Sequence, residues 1–373
     1  MTQNSEIHPA LAPGTVQNLD LPNRYVLAPM SRASATEGGV PTEDMAKYYA
    51  RFAQGGFGLL IAEGAYPDTT IAQAYANQPG LCTDAQQAGW KQVVDAVHAH
   101  GSKIILQLIH AGAVSQVVDA PHGPSPVRPD GHMLQMYGTK QGPYETPVEL
   151  SEGDITEIKA GFVQAARRAE EAGFDGVEIH CANGYLLDQF LTPETNLRAA
   201  PYGGSVENRI RLTCEIISEV RAVCSKDFLT GVRLSQAKAT QPDYFWAGGL
   251  DDAAIIFSAV AEAGASFIHL ASERGGYAYH SSTKDGARLT KFARETTGLP
   301  VIANGGLEDC DLALEVLSNG EADFLAIGKS AMMNPDLPNR IANRQAPKEF
   351  TFELFSYGVS VSSQMKWEAE QSA

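Results

Sequence analysis

The strongest constraint in this chain is a rhythm. Eight short apolar runs begin near residues 24, 57, 103, 175, 228, 266, 300 and 323. They include RYVLAPM from Arg24, FGLLIAEG from Phe57, KIILQLIH from Lys103, DGVEIH from Asp175 and FLTGVRLS from Phe228, then SFIHLA, PVIANGG and DFLAIGK. Continuous apolar runs of this length mean strands buried on both faces, and strand–helix alternation means parallel pairing. Helices are expected over 42–54, 84–100, 153–172, 205–224, 251–263, 284–297 and 308–318, with a final helical turn after the last strand. Thr42 is a suitable N-cap for the first. Eight strand–helix units make an α/β chain of the (β/α)8 TIM-barrel class, and 373 residues is a length that class reaches with insertions. A doubly wound sheet is the alternative. No GxGxxG follows any strand, which weakens it.

Two segments fall outside the rhythm. Val16 to Asn23 reads as a turn or hairpin able to plug one end of the barrel. Residues 112–150 hold six prolines and several glycines, so an irregular excursion with a small hairpin is expected there, without regular helix. A single domain over 1–373 follows, with the barrel at about 24–340 and a C-terminal tail over 341–373. The net charge of −16 and pI near 5.0 argue against a nucleic-acid or anionic-membrane partner. No membrane span or signal peptide is evident, and the five cysteines form neither a CxxC nor a disulfide framework. A cytoplasmic protein with reduced thiols, no metal site and a small-molecule substrate is expected.

In such a barrel the chemistry lies where strands end and βα loops begin. Those positions carry Ala28, Pro29, Met30 and Ser31; Ala62 to Ala65; Gln107, His110 and Gly112; His180; Arg233; His269 and Ser272; Asn304, Gly305 and Gly306; and Gly328 and Lys329. Polar groups gather at these ends and are sparse at the opposite ones. Gly305–Gly306 and Gly328–Lys329, after strands seven and eight, fit a phosphate: glycines admit backbone N–H groups, and Lys329 adds a charge. Either pair alone would pass for an ordinary turn. Arg233 sits on an apolar strand and needs an anion, from a ligand or from a structural ion pair. Strand four turns polar at His180, Asn183 and Tyr185, two hydrogen-bond donors and an acid, suited to a carbonyl or phenolate oxygen and the neighbouring carbon. Taken singly, each of the three also fits a satisfied strand end or a packing ring.

The stretch from Val177 to Arg209 resembles the Old Yellow Enzyme family of FMN-dependent ene-reductases. His180, Asn183, Gly184, Tyr185, Leu186, Gln189, Phe190 and Leu191, then Tyr202 to Arg209, match the family pattern over some thirty residues, and the likeness extends from Asn23 to about Arg340. The resemblance implies non-covalent FMN, lined by Ala28, Pro29, Met30, Ser31 and Ala62. It further implies Gln107 at the pyrimidine edge, Arg233 at N1/O2, and Asn304, Gly305, Gly306, Gly328 and Lys329 toward the phosphate. NADH or NADPH would reduce the flavin. An α,β-unsaturated carbonyl or nitroalkene would then take hydride at the β-carbon, its oxygen held by His180 and Asn183 and its α-carbon protonated by Tyr185. Tyr75, Tyr244, Phe245, Tyr277 and Tyr279 are candidate pocket aromatics, Tyr75 and Tyr277 foremost. The chain departs from the pattern at Ser31, Ala113, Ala199–Ala200 and Lys329. Two other functions fit the residues: a non-redox lyase or isomerase on a phosphorylated substrate, which would purify colourless, and a flavin-binding protein without enone turnover.

Overall fold

In a computed structural model, which describes residues 7–137, 140–272 and 275–372, the chain opens with a hairpin, β1 (Gly14–Val16) against β2 (Leu19–Leu21). Val16 and Leu21 are buried with Val26, Ile61, Ile302 and Phe324 in the inner core, so the hairpin plugs the barrel floor. The barrel strands are β3 (Tyr25–Leu27), β4 (Leu59–Ala65), β5 (Lys103–Leu108), β8 (Gly176–Asn183), β9 (Leu229–Lys238), β10 (Ile268–Ala271), β11 (Val301–Asn304) and β12 (Phe324–Ile327). They are parallel and closed, β12 pairing back onto β3. The (β/α)8 barrel read from the alternation is the fold. Closure removes every sheet edge and leaves one rim where all strands end.

The long helices form where the sequence supplies caps and one apolar face. Thr42 caps α1 (Glu43–Gln54) by accepting from the Met45 amide. Thr83 with Gln86, and Ser151 with Asp154, form reciprocal capping boxes on α2 (Asp84–His98) and α3 (Glu152–Ala172). The ring is completed by α5 (Val206–Val223), α6 (Leu250–Glu262), α8 (Leu289–Thr297) and α9 (Cys310–Ser318). Their buried faces meet the outer barrel surface in a second, larger core. No described helix is long and apolar enough to cross a membrane.

Four local features differ from expectation. The loop after strand four contains α4 (Leu186–Leu191), which starts directly after Tyr185 because buried polar groups of Asp188 and Gln189 fold back onto Gly184. In the excursion, β6 (His122–Gly123) and β7 (Val148–Glu149) pair in parallel rather than as a hairpin, while His132 bridges Pro143 in antiparallel fashion. The expected helix 284–297 is shorter, beginning at Leu289 after α7 (Tyr277–His280). Beyond α10 (Lys329–Met333) and α11 (Leu337–Ala342), the tail carries α12 (Val361–Gln371). It is locked down by Arg32, whose buried guanidinium donates to the Val359 carbonyl at 2.9 Å, Gln364 Oε1 at 2.6 Å and the Tyr48 hydroxyl at 2.8 Å.

Candidate active site

The register of β8 and β9 sets the centre of the rim. His180 pairs with Arg233, which in turn pairs with His269 on β10, so three basic side chains lie in one row. His180 is 3% exposed. Burial first, then the charges of Arg233 and His269, hold its pKa well below the imidazole range, so it is neutral at pH 7. Its Nδ1 is buried and meets no hydrogen-bonding group among the described residues. A buried polar nitrogen of this kind costs free energy unless something else comes to it. One layer deeper, Glu178 takes hydrogen bonds from Gln107 Nε2 and His269 Nδ1, both at 2.8 Å, and fixes those two side chains.

Past His180 the strand ends in a tight turn. Asn183 and Gly184 both adopt the left-handed conformation, φ 61° and 86°, which asparagine tolerates better than most residues and glycine tolerates freely. Tyr185 follows as the N-cap of α4, its ring centroid 5.2 Å from that of His180. The Tyr185 and Tyr75 hydroxyls are directly hydrogen-bonded. Tyr75 stacks on Tyr137 at 4.5 Å, and the Tyr137 hydroxyl donates to the Ser31 carbonyl at 3.1 Å. Side chains from three loops, and the backbone of a fourth at Ser31, thus meet above the end of β8.

The opposite half of the rim is lined by backbone. Gly328 faces open space, since a Cβ there would find nothing nearer than Met30 Sδ at 3.8 Å and Ala28 Cβ at 3.9 Å. Gly306 has φ 80° and no heavy atom within 4 Å of a Cβ position, whereas a Cβ on Gly305 would strike Ser272 O and Tyr277 N at 2.6 Å. Asn304 is aimed by its Oδ1, which accepts from the Ser272 amide at 2.6 Å. An open, glycine-walled cradle beside a row of basic side chains suits a planar ring with an anionic tail.

A sequence model of the NADH:flavin oxidoreductase / NADH oxidase family matches residues 10–348. The chain belongs to this family, that of Old Yellow Enzyme. It is 36% identical to 12-oxophytodienoate reductase 1 of Oryza sativa subsp. japonica over 343 residues, 89% of this chain and 85% of that protein. It is 33% identical to the NADH oxidase of Thermoanaerobacter brockii, covering 88% of this chain but spanning only about half, 50%, of that longer protein. Among solved structures it superimposes on morphinone reductase in complex with tetrahydroNAD with a TM-score of 0.81 at 32% identity, covering 91% of this chain and 92% of that one. The Old Yellow Enzyme homologue from Zymomonas mobilis gives 0.82 at 30%, covering 92% and 95%.

In this Old Yellow Enzyme barrel, His180, Asn183, Tyr185 and Tyr75 come together at the end of β8, while Ala28, Met30, Gln107, Arg233, Gly305, Gly306 and Gly328 border the rim. Tyr277 does not join the aromatic group. Its hydroxyl is engaged with Thr290 at 2.6 Å and Glu321 at 2.8 Å in the helix layer, and its amide braces the Gly305 carbonyl. Phe245 and Tyr279 cluster separately with His280, and Tyr244 lies under the Lys238 ammonium. His110 is a loop brace: Nδ1 accepts from the Gly112 amide, and burial pushes its pKa down to about 4. Lys329 is exposed and lies 5.6 Å from the Phe352 ring, and α10 is only five residues long, so the charge at that corner is the side chain's rather than a helix dipole's. Sequence reading missed Tyr137, Glu178, Asp188 and Lys238. Glu178 left a signal, a charge inside an apolar run, and Lys238 one at the end of its strand; Tyr137, in the excursion, left none.

Proposed function

We propose that this chain is an FMN-dependent ene-reductase, drawing on NADH or NADPH and saturating the C=C bond of an α,β-unsaturated carbonyl or nitroalkene. The observation that carries the reading is the buried, neutral His180, with an unmatched Nδ1, beside the Asn183 turn and the Tyr185–Tyr75 pair. Ala28, Pro29, Met30, Ser31 and Ala62 would line the cofactor, Gln107 and Arg233 would meet its polar ring edge, and Asn304, Gly305, Gly306, Gly328 and Lys329 its phosphate. FMN supplies hydride transfer when bound.

The chain's own groups handle the oxygen and the proton. A neutral imidazole and a carboxamide donate two hydrogen bonds to the substrate oxygen without placing a cation there. These bonds strengthen as negative charge builds on that oxygen, the kind of interaction worth about 3 kcal/mol in the transition state. The Tyr185 phenol gives its proton to the α-carbon. Tyr75 is kept protonated by burial and by Tyr185, which hold its pKa well above the phenol range. It therefore donates to the Tyr185 oxygen as that oxygen becomes negative, and solvent later restores the proton.

Stopped-flow separation of the half-reactions tests this. In Tyr185→Phe, bleaching of the bound flavin by NADPH should be nearly unchanged, while its reoxidation by cyclohexenone slows by roughly 10²-fold or more. A nitroalkene should suffer less, because its nitronate forms without immediate protonation at carbon. Equal slowing of both half-reactions, or none with the enone, would remove Tyr185 from the acid role.

A further inference from the structure

We infer that the buried Asp188–Lys238 ion pair positions Asn183 for gripping the substrate oxygen, acting through the Asn183–Gly184 turn. This rests on the reading of Asn183 as an oxygen-binding residue.

Two successive left-handed residues at a strand end do not hold themselves. For the L-residue the conformation costs roughly 1–2 kcal/mol. Here every backbone polar group of the turn is bound from outside it. The Asn183 amide donates to Ser235 Oγ at 2.8 Å, and the Asn183 carbonyl accepts from the Ala239 amide at 3.0 Å. The Gly184 amide donates to Asp188 Oδ2 at 2.7 Å, and the Gly184 carbonyl accepts from Gln189 Nε2 at 2.8 Å. Three of these four partners are ordinary neutral groups. The fourth, Asp188, is a carboxylate with no solvent exposure, and its other oxygen meets Lys238 Nζ at 2.5 Å.

Lys238 is itself the register partner of Asn183 across the β8–β9 bulge. The pair therefore closes a ring: Asn183 to Lys238 through the sheet, Lys238 to Asp188 through the ion pair, and Asp188 back to Gly184 through the amide. A charged acceptor makes about twice as strong a bond to an N–H as a neutral one. Burial pushes the Asp188 pKa up, and Lys238, at ion-pair distance from the carboxylate, is the strongest influence holding it ionised against that rise. A fully buried ion pair stabilises a fold no better, as a rule, than an apolar pair of the same volume. What it adds here is a fixed direction for the residue at the head of the turn.

The test measures binding of 4-hydroxybenzaldehyde, a phenol that mimics an enolate, to the FMN-loaded protein through the long-wavelength charge-transfer band. Asn183→Ala should weaken binding about tenfold, and Lys238→Met by a similar factor of roughly 5–10. In the Asn183→Ala background, Lys238→Met should change the affinity less than about twofold, since its effect passes through the missing carboxamide. Asp188→Asn, which keeps the side-chain shape, should show the same dependence on Asn183 and serves if Lys238→Met does not fold. An equal loss in both backgrounds, or no loss in either, overturns the positioning role while leaving the oxygen grip intact. An unchanged affinity in Asn183→Ala itself would instead sink the oxygen grip.

Discussion

Glu63 should make this enzyme more stable in mild acid than in mild base. Its carboxylate lies inside the rim next to Gly64. Oε2 accepts from the Arg32 and Ala33 amides at 2.8 and 3.2 Å, and Oε1 accepts from the Tyr49 hydroxyl at 3.3 Å. Burial outweighs these bonds and raises the pKa from 4.5 to about 7. Between those two values the folded state holds a proton that the unfolded chain has released, so the Glu63 contribution is fully present below pH 4.5 and is lost as pH rises through 7. At about 1.4 kcal/mol per unit, a shift of this size amounts to ~3 kcal/mol. Urea unfolding of the FMN-loaded protein at fixed excess FMN, from pH 5 to 8.5, should be compared with Glu63→Gln, which mimics the protonated acid. Groups with the opposite sign, such as His110 with its pKa pushed down to about 4, act equally in both proteins and drop out of the difference. The wild-type protein should lose about 2.5 kcal/mol relative to the variant across this range. A difference that stays constant with pH would refute the assignment of the shift to Glu63.

Two further outcomes follow from the packing. Arg32→Ala strands the Tyr48 hydroxyl, Gln364 Oε1 and the Val359 carbonyl; it should lower the unfolding free energy by about 3 kcal/mol or more and expose the linker before α12 to limited proteolysis. Gly305→Ala, with φ 115° and two backbone atoms at 2.6 Å from the new methyl, should destabilise the loop after β11, whereas Gly306→Ala, whose methyl enters the open cradle, should cost the fold only ~1 kcal/mol of strain yet lose FMN on gel filtration; full FMN retention in Gly306→Ala would rule out the cradle.

Much of this fold was legible because a parallel barrel buries its strands on both faces and announces them as apolar runs. The capping residue Thr42 likewise wrote a helix start into local sequence, and Thr83 and Ser151 do the same for α2 and α3 in the structure. The rim positions were legible for a related reason: where an apolar run turns polar, the chain leaves the barrel wall. What stayed hidden depends on contacts remote in sequence. Arg32 reaches Gln364, and Asp188 reaches Lys238; neither pairing leaves a periodic trace. Tyr277 was misplaced for a similar reason. An aromatic in a βα loop can turn inward over the rim or outward into the helix layer, and only the position of Glu321 and Thr290 decides between them.

The excursion between β5 and α3 has little regular structure, yet through Tyr137 it reaches across to Ser31 and Tyr75. On the proposed reading, the hydrogen-bond donors to a substrate would stand at the end of β8, while Tyr137 would roof them from a loop that is tied to its neighbours at Ser115, Gln116 and Ser125. Reactivity and selectivity would then rest on different parts of one chain. A library at Leu134, Met136 and Tyr137, the first two exposed, would vary the height and polarity of that ceiling while leaving the buried Ser115, Gln116 and Ser125 to hold the neighbouring loops.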